Sequence, residues 1–156
     1  VLLSVITSST NTSAIGDLLY GLTVMCIFSF SVGRLFLFLL FTVTGAVIIT
    51  AFAVIMGSLS FWFVRAEAFG VHMINSVISF ATYPDGIFRG KVRFLLYNII
   101  PVGMSVYMPV HVMTHFDMRS LLTVTGYTIL ISAAAVFVFY RGLRRYSSSN
   151  LMAARM

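Results

Sequence analysis

Charge is scarce in this chain. Only 9% of its 156 residues are Asp, Glu, Lys or Arg, against roughly 25% in an ordinary globular protein. The four acids, Asp17, Glu67, Asp85 and Asp117, each stand at the edge of an apolar block. They are not paired for acid–base work, and none lies mid-block, where proton-coupled transport keeps a carboxylate. An intramembrane aspartyl pair is excluded on the same ground. Cysteine is nearly absent. Cys26 stands alone, which excludes an intrachain disulfide and a cysteine metal site and leaves it as a packing residue. The GxSxG and GxxxxGK[ST] motifs are missing, which removes the common serine-hydrolase and P-loop signatures. The first basic residue is Arg34, so the N-terminus has no positive n-region of a secretory signal.

What is present is apolar. Sixty per cent of residues are hydrophobic and the mean hydropathy is +1.02. Residues 35–64 carry no charge at all. As a helix rising ~1.5 Å per residue, that run reaches about 45 Å, beyond a ~30 Å hydrocarbon core. The chain therefore belongs in a membrane, where it moves something across, senses across, or does chemistry within. Its net charge of +6 and pI near 10 do not point to nucleic acid. Arg34, Arg65, Arg89, Lys91, Arg93, Arg119, Arg141, Arg144, Arg145 and Arg155 mostly flank the apolar blocks, where membrane helices keep snorkelling cations.

The blocks read as an all-α polytopic bundle forming one transmembrane domain over 1–156, with about four spans at 17–33, 35–64, 68–84 and 120–140. Ser13 is the expected cap of the first helix, with Asp17 in its first turn. Gly45, Ala46, Ala53 and Gly57 invite close approach in the second, and Ala53 and Gly57 have small-xxx-small spacing. Arg65-Ala66-Glu67 is a polar break. The third block stops at Pro84-Asp85-Gly86, because proline ends helices and Asp-Gly is a turn dipeptide. Residues 87–115 open basic, turn apolar and carry Pro101, Gly103 and Pro109. That pattern predicts a re-entrant pair of short helices, with both prolines as breaks, since irregular backbone at membrane depth must be covered by protein or line a cavity. After the last span comes a polar tail, with Tyr140 and Tyr146 bracketing the interface and Arg141, Arg144 and Arg145 as the inner-face anchor, which places the C-terminus in the cytoplasm.

Three constellations can carry chemistry. His111 and His115 share a helix face, but HxxxH without a glutamate is a weak metal signal, and interfacial histidines are the simpler reading. His72 and Asn75 lie inside a span. They serve either an interhelical hydrogen bond or a substrate pathway. Nine Met and fifteen Phe are packing and lipid-facing residues that would also suit a pathway for a large apolar substrate.

Phe80-Ala81-Thr82-Tyr83-Pro84-Asp85-Gly86-Ile87-Phe88, then Gly90, Leu95-Leu96-Tyr97-Asn98-Ile99-Ile100-Pro101, Tyr107 and Pro109, resembles the signature of ABC-2 type exporter permeases, bacterial membrane subunits. The tail Phe139-Tyr140-Arg141-Gly142-Leu143-Arg144-Arg145-Tyr146 with Ser148 and Asn150, and Gly57-Ser58-Leu59-Ser60-Phe61-Trp62, are similar to the same family. The resemblance runs from about Asp17 onward and matches the C-terminal four of six family helices. The first two family helices and their coupling segment have no counterpart, and Val1 in place of Met also reads as a piece of a larger permease. Ser147 and Ser149 stand where relatives often have Glu and Gly. The resemblance implies a multi-pass cell-membrane protein that forms the translocation pathway and catalyses nothing itself. It also implies an ATP-binding cassette ATPase partner that carries the ATP and Mg, a second permease subunit (homo- or heterodimeric), and no cofactor in this chain. Tyr83, Pro84, Asp85, Gly86, Pro101, Pro109, Arg141, Arg144 and Arg145 are the expected structural motif, with His72 and Asn75 as pathway candidates. The alternatives are a non-transporting membrane scaffold and an intramembrane enzyme using His72 or His111.

Overall fold

A long uncharged run can satisfy its backbone inside a bilayer only by coiling into a helix, and this chain is built from such helices. The computed structural model describes residues 12–29, 31–63 and 66–153. Arg65 and Arg155 lie outside the described residues, as do the side chains of Ser13, Glu67 and Tyr146. In chain order the helices are α1 Thr12–Ser29, α2 Val32–Ser58, α3 Ala66–Ala81, α4 Gly90–Asn98, α5 Met108–Thr114 and α6 Met118–Ala153. 3₁₀ turns follow α2 at Leu59–Phe61 and α3 at Asp85–Ile87, and a π-helical turn, Gly103–Tyr107, precedes α5. Among the described residues there is no strand.

Two helical stretches, Val32–Phe61 and Met118–Arg145, are long and apolar enough to cross a membrane. Ile15–Ile27 and Ala68–Ala81 are apolar helices of shorter length, and Gly90–Asn98 with Gly103–Thr114 forms a pair bent by 79°. The boundaries differ from the sequence expectation for identifiable reasons. The Ser31 carbonyl accepts the first α-helical bond from Leu35 N–H at 2.9 Å. Serine suits that N-terminal position, so α2 starts at Val32 and takes Gly33 and Arg34 into its first turn. α1 starts at Thr12, which puts Asp17 beyond the first turn. α6 does not stop at Tyr140. It carries Arg141, Arg144 and Arg145 on the same continuous helix.

The chain forms two compact units, Val1–Leu37 and Phe38–Met156. In the first, α1 exposes Ile15, Leu18, Leu19, Tyr20 and Ile27, a surface suited to lipid rather than water. In the second, α2 and α6 run parallel. Phe61, just past the end of α2, meets Phe139 of α6 edge-on at 6.1 Å, and a Cβ on Gly142 would collide with the Phe61 ring. α3 runs back alongside α2: Gly70, near its start, abuts Met56, near the end of α2, so that a Cβ added at Gly70 would lie 3.4 Å from Met56 Cβ. Of the expected small-residue seam, Ala53 and Gly57 face α3 across a crevice shared with Gly70. Gly70 makes the close approach. At the opposite end, a Cβ on Gly45 of α2 would lie 3.1 Å from the Ser105 carbonyl oxygen of the π turn. Ile48, Ala51 and Phe52 of α2, Val77 of α3, Leu96, Ile100, Val102 and Tyr107 of the bent segment, and Ile131 and Ala135 of α6 form the core. Lipid tails are as apolar as these side chains, so tight packing, rather than escape from water, holds the helices together within a bilayer.

α6 has a well-made start. Asp117 accepts the N–H groups of Arg119 and Ser120, both at 3.2 Å, and the Ser120 hydroxyl at 2.9 Å, the geometry of an N-cap. These bonds, the Ser120 hydroxyl foremost, hold the Asp117 carboxyl below the usual carboxylate range. A lowered acid stabilises the fold above its unfolded pKa of ~3.9 and loses that contribution as pH falls through the folded value. Asp117→Ala is therefore expected to lower the thermal midpoint at pH 7. The gap to wild type should narrow as pH falls below the ordinary carboxylate range, as read by size-exclusion survival after heating. A gap independent of pH would remove the cap from the account.

Candidate functional site

The site grows from the end of α3. Pro84 is extended, with φ −69° and ψ 141°, and cannot continue a helix. Asp85–Ile87 turns the chain, and Gly90, at φ +58°, makes the left-handed step that starts α4. The sequence placed turn freedom on Gly86. The structure places it on Gly90, where any other residue would be strained.

This corner folds back onto the bent segment. The Phe88 ring meets Phe80 edge-on at 5.6 Å and stacks on Tyr107 at 6.3 Å. Tyr97 reaches Tyr107 from α4 at 6.3 Å. The Tyr107 hydroxyl donates to the Phe80 carbonyl at 2.6 Å, as a second donor beside the Tyr83 N–H at 3.1 Å. Arg93 donates to Asp85 Oδ2 at 2.7 Å and lies over the Tyr97 ring, 5.4 Å from its centroid. The pair is partly exposed, so it contributes little stability, of order 0.2–1 kcal/mol. Its effect is positional: it ties the corner to α4. A cavity of about 380 Å³ opens beside it, lined by Thr82, Tyr83, Pro84, Asp85, Val106 and Tyr107 among others.

The structure thus brings Tyr83, Pro84 and Asp85 together with Tyr107. Pro101 is fully buried at the bend, and its carbonyl accepts the Ser105 N–H at 3.0 Å and hydroxyl at 2.7 Å. Pro109 was expected to break the helix and does not. It is buried in the first turn of α5, directly after the π turn. Proline cannot donate to the Ser105 carbonyl four residues back, and the wider π winding accommodates that loss. Phe88, Tyr97 and Tyr107 stand in the family signature but not among the expected motif residues, and Arg93 stands in neither. The four-residue spacing of Arg93 and Tyr97 on one helix was a local signal. The partnership of Tyr107 with Phe80, twenty-seven residues apart, had none.

His72, Asn75 and Ser79 lie on α3 and Thr82 just past its end, at spacings of three, four and three, and all four are exposed. The Ser79 and Thr82 hydroxyls donate to the carbonyls of Asn75 and Ser79, at 2.9 and 2.7 Å. They form a polar stripe on a mostly apolar helix, facing away from buried Val77. Arg141, Arg144 and Arg145 are exposed at the far end of α6, with Arg141 over the Phe137 ring at 5.9 Å. His111 and His115 are exposed with ring centroids 5.9 Å apart. Among the described residues no three His, Cys, Asp or Glu side chains gather to hold a metal.

The family described as ABC-2 family transporter protein matches this chain over residues 1–150. The match takes in the residues before Asp17, which carried none of the motifs of resemblance. No curated protein and no solved structure matches the chain.

Proposed function

The chain belongs to the ABC-2 family of transporter proteins, and from that premise we propose that it is the permease subunit of an ATP-driven exporter, with α3 forming a wall of the translocation pathway. It is a membrane component of a transporter rather than a catalyst in itself. ATP and Mg belong in this reading to a separate ATP-binding cassette subunit, and a second permease copy or paralogue closes the other side of the pathway.

The observation that carries the reading is the exposed stripe of His72, Asn75, Ser79 and Thr82. The serine and threonine hydroxyls are satisfied within the helix and tolerate lipid. An imidazole and a carboxamide facing hydrocarbon would each cost several kcal/mol, of order 2–7, so that face meets water, substrate or protein. The knot of Asp85, Arg93, Tyr97 and Tyr107 then links the far end of α3 to the bent segment, so that tilting of α3 moves the cover over the pathway. ATP binding in the partner biases two such packings with different affinity for substrate. The Arg141, Arg144 and Arg145 end of α6 faces the cytoplasm in this arrangement. Arg93 sits on the far side with its charge held by Asp85, which lessens its conflict with the positive-inside tendency.

Cys26 is the only cysteine, so Cys26→Ser gives a clean background for labelling. Asn75→Cys and His72→Cys are expected to react with a charged, water-soluble maleimide, at rates that change several-fold when ATP and Mg are trapped on the partner. Val77→Cys, buried on the opposite face of α3, should stay slow. Equal, nucleotide-independent labelling of all three would sink the pathway assignment. Purification from native membranes without a stoichiometric P-loop ATPase would sink the exporter reading itself.

A further inference from the structure

The parallel pair α2 and α6 leaves a groove that neither the knot nor the α3 stripe uses. Ala46, Thr50 and Val54 of α2 face Ser132, Ala135 and Phe139 of α6 across a cavity of about 620 Å³. Small residues from both helices open the trough, and that volume falls within the ~300–1,000 Å³ of ordinary ligand clefts. The Ser132 hydroxyl donates to the Thr128 carbonyl at 2.7 Å, and Thr50 and Tyr140 bring the other hydroxyls to an otherwise apolar trough. It does not end blindly. An adjoining cavity shares Ser132, Val136 and Tyr140 with it and is lined also by Arg141 and Arg144.

We propose that this groove holds one acyl chain of an anionic glycerophospholipid, with the phosphate seated at Arg141 and Arg144. Length and charge both support that occupant. From Ser132 to Arg144 the helix rises about 18 Å at ~1.5 Å per residue. Half of a ~30 Å hydrocarbon core is about 15 Å, so an acyl chain lying from the headgroup level toward the midplane matches the trough. Guanidinium groups bind phosphate with charge-assisted, often bidentate, hydrogen bonds. Tyr140, exposed beside them, has the apolar body and polar tip that sit at headgroup depth. The site lies on the outer surface of the α2–α6 pair and concerns lipid retention rather than transport, so it stands or falls separately from the exporter reading.

The test uses the full-length protein with its native partners, purified in mild detergent and observed by native mass spectrometry. Phosphatidylglycerol and phosphatidylcholine of equal chain length are supplied in competition. Wild type is expected to retain phosphatidylglycerol selectively. Arg141→Gln with Arg144→Gln should reduce that preference about tenfold, the loss of roughly one charge-assisted bond. Ala46→Phe fills the trough from an exposed position on α2 and should abolish retention of either lipid, with the size-exclusion profile unchanged. Retention by Ala46→Phe equal to wild type would overturn the proposal, as would an unchanged lipid preference in the double arginine variant. So would efficient disulfide formation by Ala46→Cys between two copies, which would make the groove a protein interface.

Discussion

Gly142→Val should destabilise the protein by about 1–3 kcal/mol, the usual cost of overpacking a well-filled contact. A Cβ at Gly142 meets the Phe61 ring at its root as well as its edge, so the ring cannot simply swing aside. Phe61 is itself braced by Trp62 at 6.3 Å and Phe139 at 6.1 Å. The added side chain must therefore prise α2 from α6 at the arginine-bearing end. Gly126 provides an internal control on the same helix, because a Cβ there meets nothing within 4 Å. Gly126→Ala is expected to be neutral or to stabilise by about 0.5–1 kcal/mol, the helix-interior difference between the two residues. Thermal survival of the monodisperse peak in detergent, measured for both variants and for Gly142→Val with Phe61→Ala, decides the matter. Rescue by the second substitution supports a ring collision. Equal loss from Gly126→Ala and Gly142→Val would attribute the effect to the backbone instead.

Leu96→Ala should cost more, about 2–5 kcal/mol, as fully buried leucines do when truncated. α4 is short and buries only Leu96 completely, so that side chain is its main anchor in the core it shares with Ile48, Phe52 and Val102. Without it, α4 is tied chiefly by the partly exposed Arg93–Asp85 pair and by the aromatic contacts of Tyr97. Hydrogen exchange across 90–98 should rise well above that of wild type, while exchange in the middle of α6 stays near its original level. Phe94→Ala, on the exposed face of the same helix, should change little. If both variants exchange alike, Leu96 is not the anchor.

Much of the candidate site was readable one residue at a time and very little of it in combination. Pro84 announced the end of α3 because a missing N–H and a fixed φ act locally. The apolar runs announced helices because the bilayer permits little else. Pro109 misled, because whether proline breaks a helix depends on how the preceding turn is wound, and the π turn at Gly103–Tyr107 belongs to the packed structure. A Cβ on Gly103 would strike the Tyr97 ring, a constraint that no spacing rule contains. Asp85 looked like a turn acid; its tie to Arg93 arises only once the corner has folded over α4.

Composition and local backbone chemistry by themselves determined that this chain lives in a membrane, is of the all-α class, and is punctuated near Pro84, Pro101 and Asp117. Such properties depend on solvent and on neighbours within a few residues. The tertiary structure alone decided that α2 and α6 run parallel with the arginines beside the end of α2, that α3 turns a polar stripe outward, and that Tyr107 hydrogen-bonds the last turn of α3. Those facts depend on which surfaces meet. Where lipid and protein interiors are equally apolar, close fit and hydrogen bonds between distant residues select the partners, and hydrophobic pattern does not.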